Sequence, residues 1–217
     1  MGETWSEIQT EIITLLDDAV FETGGSLNEK LITWANRIIK DICLEIDIRN
    51  HLKNADITIT TDNYQYDIVA NITDYFKFSK RFTKVLSDDT EIELITVDEL
   101  NSYDYDHDET TTGNPSYVAI EGNYLYVYPM ADLTLTISNY FKKPADLVND
   151  TDSPDMPYVY FLPDLIIAGV VSKYGFPYLN EYKQADYWKN VYFENLEKYR
   201  LHINKNNTMQ IIERNYY

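Results

Sequence analysis

An α+β fold is predicted, with terminal α-helices forming a bundle and a small antiparallel β region inserted between them. Two observations predict it. Apolar residues recur at three- and four-residue steps near both ends of the chain, and the period falls to two in the middle. The order helices, strands, helices places the two helical parts together around the insertion. The expected boundaries are 1–54 for the N-terminal helical part, 55–144 for the β insertion, 145–205 for the C-terminal helical part and 206–217 for a tail.

The first helix is announced by a capping box, Thr4-x-x-Glu7, whose hydroxyl and carboxylate can satisfy free amides at a helix start. Ile8, Ile12, Leu15 and Leu16 follow on one face, and Gly24-Gly25 stops the helix. A second box, Ser26-x-x-Glu29, opens a helix of about 20 residues, roughly 30 Å long. Its stripe runs through Leu27, Leu31, Trp34, Ala35, Ile38, Ile39, Ile42 and Ile46, with Cys43 on its border as a small core residue.

From Ala55 the alternation is that of strands. Ile57 and Ile59, then Tyr64, Tyr66 and Ile68, alternate with polar residues. Tyr75–Phe78 and Ile92–Ile95 are further strands, and Val97–Leu100 is a helical turn. Tyr117–Ile120 and Tyr124–Tyr128 flank Gly122-Asn123, a two-residue hairpin turn. Leu133, Leu135 and Ile137 mark a half-exposed strand.

Pro163 suits the first turn of a third helix, because its missing amide proton is not needed there. Ile166, Ile167, Val170, Val171 and Tyr174 form its stripe, and Gly175 caps its end. Asn180 opens a fourth helix with Ala185, Trp188, Val191, Tyr192, Leu196 and Tyr199 on its apolar face. Asn204–Thr208 is read as a polar breaker. The tail beyond it carries Met209, Ile211, Ile212, Tyr216 and Tyr217, apolar matter that either docks on a partner or packs on its own domain.

Composition excludes several functions. The chain has 217 residues and a formal net charge of -18, so a general basic face for nucleic acid is ruled out. One cysteine permits neither an internal disulfide nor a cysteine-based zinc site. The N-terminus has no basic region followed by an apolar run, and no apolar stretch approaches the ~20 residues of a membrane span. The expectation is synthesis in the cytoplasm. Tyrosine is in excess at 20 copies, which fits either interfaces or an AT-rich source genome.

No constellation for catalysis emerges. Asp104–Glu109 starts like a calcium loop, but Glu109 stands where glycine is needed and Pro115 where glutamate is needed. His51, His107 and His202 fit no metal spacing, and there is no glycine-rich phosphate loop. No enzyme, metal or cofactor is expected. Lys77, Lys80, Arg81 and Lys84 form the densest basic run. It is either a solvated strand face or an interface for an acidic partner or for DNA.

Several blocks in register carry a family likeness. They are Leu31–Asn36 on the long helix, Tyr64-x-Tyr66-x-Ile68, Gly113-Asn114-Pro115, Tyr124–Pro129, Tyr140–Pro144, Asp152–Pro157 and the helix after Pro163. In this order they resemble the head–tail connector (adaptor) proteins of tailed bacteriophages, from Thr4 to about Tyr199. Val69-Ala70 departs from the Leu-Pro expected there. The resemblance implies a structural virion protein in the neck, forming a cyclic ring with neighbouring copies beneath the portal protein. It also implies contact with tail or further ring proteins, and DNA passing through the lumen without sequence-specific binding. Met209–Tyr217 would then reach the portal. The competing readings are another ring or tail component, a non-viral cytoplasmic binding module, and a metal-dependent enzyme using Asp104–Glu109.

Overall fold

The period-two stretch pairs into one large mixed sheet in a computed structural model, which describes the backbone of residues 3–16, 26–79, 82–103 and 111–214. Gly24-Gly25, Lys80, Arg81, Asp104–Glu109, Tyr216 and Tyr217 lie outside the described residues. So do the side chains of Ser26, Leu27, Met209, Ile211 and Ile212. The chain divides into two compact units, one made of Met1–Asn50 with Pro144–Tyr217 and the other of His51–Lys143.

The second unit holds β1 (Leu52–Ile59), β2 (Gln65–Asp67), α3 (Ile68–Asn71), β3 (Tyr75–Lys77), β4 (Lys84–Ser87), β5 (Thr90–Ile95), α4 (Val97–Tyr103), β6 (Tyr117–Glu121), β7 (Tyr124–Tyr128) and β8 (Leu133–Lys142). The strand order is β1-β8-β4-β5-β6-β7-β2, with β3 also on β8, giving eight strands. Pairing is antiparallel except between β5 and β6, where Leu94 sits beside Val118 in a parallel register. A helical bundle with a small antiparallel insertion is therefore not the architecture. The sheet is eight-stranded, mixed and curled nearly into a barrel. Its inner face gathers Ile57, Ile59, Tyr66, Val85, Val118, Leu125, Leu135 and Tyr140 into one core. The parallel pair has a plain cause. Parallel neighbours cannot be joined by a tight turn, and the stretch between β5 and β6, which includes α4, supplies the crossover.

Two local devices bend this sheet. Gly122 alone in the β6–β7 turn has positive φ, at 58°, the geometry that places glycine first in a two-residue hairpin. In β8, Asn139 has φ of 59°, and its amide donates to Asn54 Oδ1 at 2.9 Å. The register of β1 on β8 shifts at the same place, so Tyr140 turns inward after Ile137 with two residues between them.

The first unit holds α1 (Trp5–Leu16), α2 (Ser26–Glu45), α5 (Leu162–Val170), a π-helical turn (Val171–Gly175), α6 (Phe176–Tyr178) and α7 (Tyr182–Arg214). Every residue of α5 except Asp164 is buried, as expected of a helix apolar all round with α1, α2 and α7 against it. Pro163 does lie in its first turn. Gly175 is not a cap. The chain stays helical through it, and a Cβ there would meet Leu16 of α1 at 2.8 Å. Nor does Asn204–Thr208 break a helix, since α7 continues for 33 residues to Arg214. Asparagine and threonine lower helix propensity by only tenths of a kcal/mol each, about enough to weaken a helix but not to end one.

The start of α1 is capped twice. Glu7 Oε2 accepts from the Thr4 amide at 2.7 Å, and the carbonyls of Asp152 and Asp150 accept from Trp5 and Ser6. Asn36 on α2 holds Leu147 by both ends of its amide, at 3.0 and 2.8 Å. Tyr199 donates its hydroxyl to the Pro157 carbonyl, and burial drives its phenol pKa upward.

Two measurements check this packing. A Cβ on Gly169 would meet Ile38 at 2.7 Å and Tyr192 at 3.0 Å, both buried. Gly169→Val should cost about 3 kcal/mol in urea unfolding, toward the upper end of overpacking penalties. Hydrogen bonds from Thr4 lower the pKa of Glu7, and those from Asn149 and Val148 lower that of Asp152. Both groups bind protons more weakly folded than unfolded. Their stabilisation is thus complete above the unfolded values near ~4 and fades as pH falls through the folded ones. Asp152→Asn should flatten the acid limb of a stability–pH curve while leaving its slope near neutrality unchanged.

Candidate functional site

The hairpin turn at Gly122 fixes which tyrosines share a face. Counting back from it, Glu121 pairs with Tyr124, Ala119 with Tyr126 and Tyr117 with Tyr128. On the inward side lie Val118, Leu125 and Val127. The outer side therefore carries Tyr117, Tyr124, Tyr126 and Tyr128 in two adjacent rows. Tyr64, before β2, tilts its ring against Tyr126 with centroids 6.1 Å apart. Tyr103, at the end of α4, stacks on Tyr117 at 4.5 Å with the planes 6° apart.

α4 is placed by a capping box that sequence reasoning passed over. Thr96 donates from its amide and hydroxyl to Glu99 Oε2, both at 2.9 Å, and the Glu99 amide donates back to Thr96 Oγ1. The Thr96-x-x-Glu99 signature is the same as at Thr4, and it marks the start of the helical turn expected at Val97–Leu100. α4 lies on β6 and buries Leu100, and Ala119 is buried on the same outer face.

The result is a shelf of six tyrosine rings, of which Tyr103, Tyr124 and Tyr64 are 53%, 43% and 40% exposed. Carboxylates surround it. Tyr117 beside it, and then Glu93 and Glu99, push the Tyr103 phenol above its usual range. Burial and then Glu121 do the same for Tyr126. A hollow of about 720 Å³ opens along β5, lined by Phe78, Ile92, Leu94 and Ile120, which belong to the inward side with Val118. Glu91, Glu93, Glu99 and Glu121 stand around it. Such a surface can bind, but it brings no nucleophile–base pair together.

The first unit shows a second surface. Leu44 of α2 and Phe193 of α7 are both largely exposed and line a groove of about 490 Å³. Its rim is paired, with Lys173 on Asp41 at 2.9 Å and Arg200 on Glu45 at 3.2 Å.

The model of the family described as SU10 adaptor protein matches residues 3–210. The chain belongs to that family. It is a phage adaptor family, as the order of sequence blocks implied. No curated protein matches the chain.

The adaptor's expected interface residues fall in different places. Lys77 lies over the Phe141 ring at 5.0 Å, and Lys84 pairs with Glu91. They sit on β3 and β4, two strands that share β8 as a neighbour. Met209, Ile211 and Ile212 fall on the last turns of α7. Among the described residues no group of His, Cys, Asp and Glu could hold a metal ion, and no helix is long and apolar enough to cross a membrane.

The shelf makes one claim that titration checks. Tyr117 is the largest cause raising Tyr103, so Tyr117→Phe should let Tyr103 ionise at a lower pH, nearer 10. Site-resolved NMR of labelled tyrosine rings would read this. An unchanged Tyr103 would show that the stack does not form.

Proposed function

We propose that the chain is a structural subunit of a tailed-phage neck, assembling with copies of itself into a ring beneath the portal that joins capsid to tail and lets DNA pass. The observation carrying this reading is the adaptor-family match over residues 3–210. It implies a place in the virion and a role without chemistry of its own. A cyclic ring needs two different faces on each subunit. The tyrosine shelf and the Leu44–Phe193 groove are two such candidates, each on a different unit.

In this reading Met209, Ile211, Ile212, Tyr216 and Tyr217 dock on the portal protein, and tail or further ring proteins meet the other end. Lys77, Lys80, Arg81 and Lys84 border an interface. The charge of -18 per chain would repel a threaded DNA rod wherever acids face the lumen, favouring passage over sticking.

A truncation ending at Asn206 tests the docking. Ile203 is the last buried side chain among the described residues, so the shortened chain should keep its fold. It should fail to co-sediment with portal rings, and electron microscopy should show those rings bare. Unchanged decoration of the rings would overturn the assignment of residues 209–217.

A further inference from the structure

We propose that the tyrosine shelf, with the glutamates that flank it, receives an arginine-bearing, extended segment of another virion protein. The inference deepens the adaptor reading, on which it rests for the source of the segment.

Three features set the chemistry of the occupant. The first is charge. Glu93 and Glu121 flank the shelf and take part in no ion pair among the described residues. Among the described residues no lysine or arginine lines the hollow that Glu93 and Glu121 border. The raised phenols of Tyr103 and Tyr126 register the same negative field, with nearby glutamates among the causes. A cationic side chain arriving here gains a carboxylate partner without displacing one.

The second is the rings. Tyr103 and Tyr117 are already stacked, and Tyr64 already leans on Tyr126, so little rotamer freedom remains to be lost on binding. An aromatic face attracts a cation, and a guanidinium, being planar and weakly hydrated, lies on it better than an ammonium does.

The third is the spacing of the rings. Tyr124, Tyr126 and Tyr128 alternate along one face of β7. An extended segment alternates its side chains with the same period, so arginines two apart would lie on the shelf while the residue between them points away.

The test uses the full chain and a fluorescent eight-residue peptide alternating arginine and valine, read by anisotropy. Wild type should bind it, and should bind the lysine version several-fold more weakly, by about the advantage stacking gives arginine. Glu93→Gln with Glu121→Gln should weaken binding by roughly tenfold or more. Glu181→Gln with Asp186→Asn, which removes the same charge from the exposed start of α7, should change it less than about twofold. Tyr103→Ala with Tyr124→Ala should also weaken it several-fold, whereas Tyr160→Ala, at an 84% exposed ring in the other unit, should not. Equal losses from the two charge-removing pairs would overturn the proposal, since net charge alone would then explain the binding. So would equal affinity for the lysine peptide, or no binding at all. Circular dichroism of each variant separates misfolding from lost contact, and a single-ring Tyr124→Ala variant serves if the double variant unfolds. Ring assembly on portals is scored separately by sedimentation, so failure here leaves the adaptor reading standing, and failure there leaves this surface standing.

Discussion

β8 is hydrogen-bonded along both of its edges, and the second unit hangs on that strand. Ile137 faces Ala55 of β1 on one side and Val85 of β4 on the other. Further along, Phe141 faces Leu52 of β1 and Lys77 of β3. A strand held this way cannot slip, because a shift by one residue would turn Leu135 and Ile137 out of the core. The break at Asn139 resets the alternation, so that Tyr140 also points inward, where its hydroxyl meets Asp74. Lys53 pairs with the same carboxylate at 2.8 Å. With β8 fixed, β4 and β5 follow by a short hairpin, and the parallel step to β6 brings the tyrosine hairpin to its place.

The first unit obeys a different constraint, which is close approach. α5 and the π turn after it are short, and their neighbours come near because one position in each lacks a side chain. Gly169 admits Ile38 and Tyr192, and Gly175 admits Leu16. Trp34 stacks on Tyr174 at 5.5 Å, adding an aromatic contact where the helix loosens into its π turn. Hydrogen bonds tie loops to this packing. Asn36 and Tyr199 each reach a backbone group over a hundred and about forty residues away respectively, at Leu147 and Pro157. Polar groups wholly or partly buried with such partners specify one arrangement rather than a family of similar ones.

Local signals in the sequence were faithful where the physics is local. Thr4 and Glu7 do cap α1, Pro163 does open α5, and Gly122 does turn the hairpin. The two-period of β1, β7 and the start of β8 matches their burial. What could not be read was long-range. The alternation of β5 and β6 is the same whether they pair parallel or antiparallel, so the mixed sheet was invisible and a small antiparallel insertion was expected instead. β4, with Lys84, Leu86 and Ser87 in it, is too short and too polar to announce itself. Gly175 looked like a terminator because glycine commonly caps helices, but here it answers to Leu16, a contact between residues far apart in sequence. The tyrosine shelf was half legible. Its hairpin register follows from Gly122, while Tyr103 and Tyr64 join it through tertiary placement alone.

The division of the first unit into Met1–Asn50 and Pro144–Tyr217 also bears on how the chain is made. α1 and α2 leave the ribosome with Ile8, Ile12, Leu31, Ile38 and Ile42 prepared for burial, yet the helix that buries them, α5, follows more than a hundred residues later. The sheet can close as soon as Lys142 has left the ribosome, since all its strands are then free to pair. Synthesis from the N-terminus thus makes the inserted unit complete first and keeps the outer one waiting. During that interval the apolar stripes of α1 and α2 are exposed together, and a nascent chain that has emerged past residue 144 but not yet as far as α5 would be at its most vulnerable to aggregation.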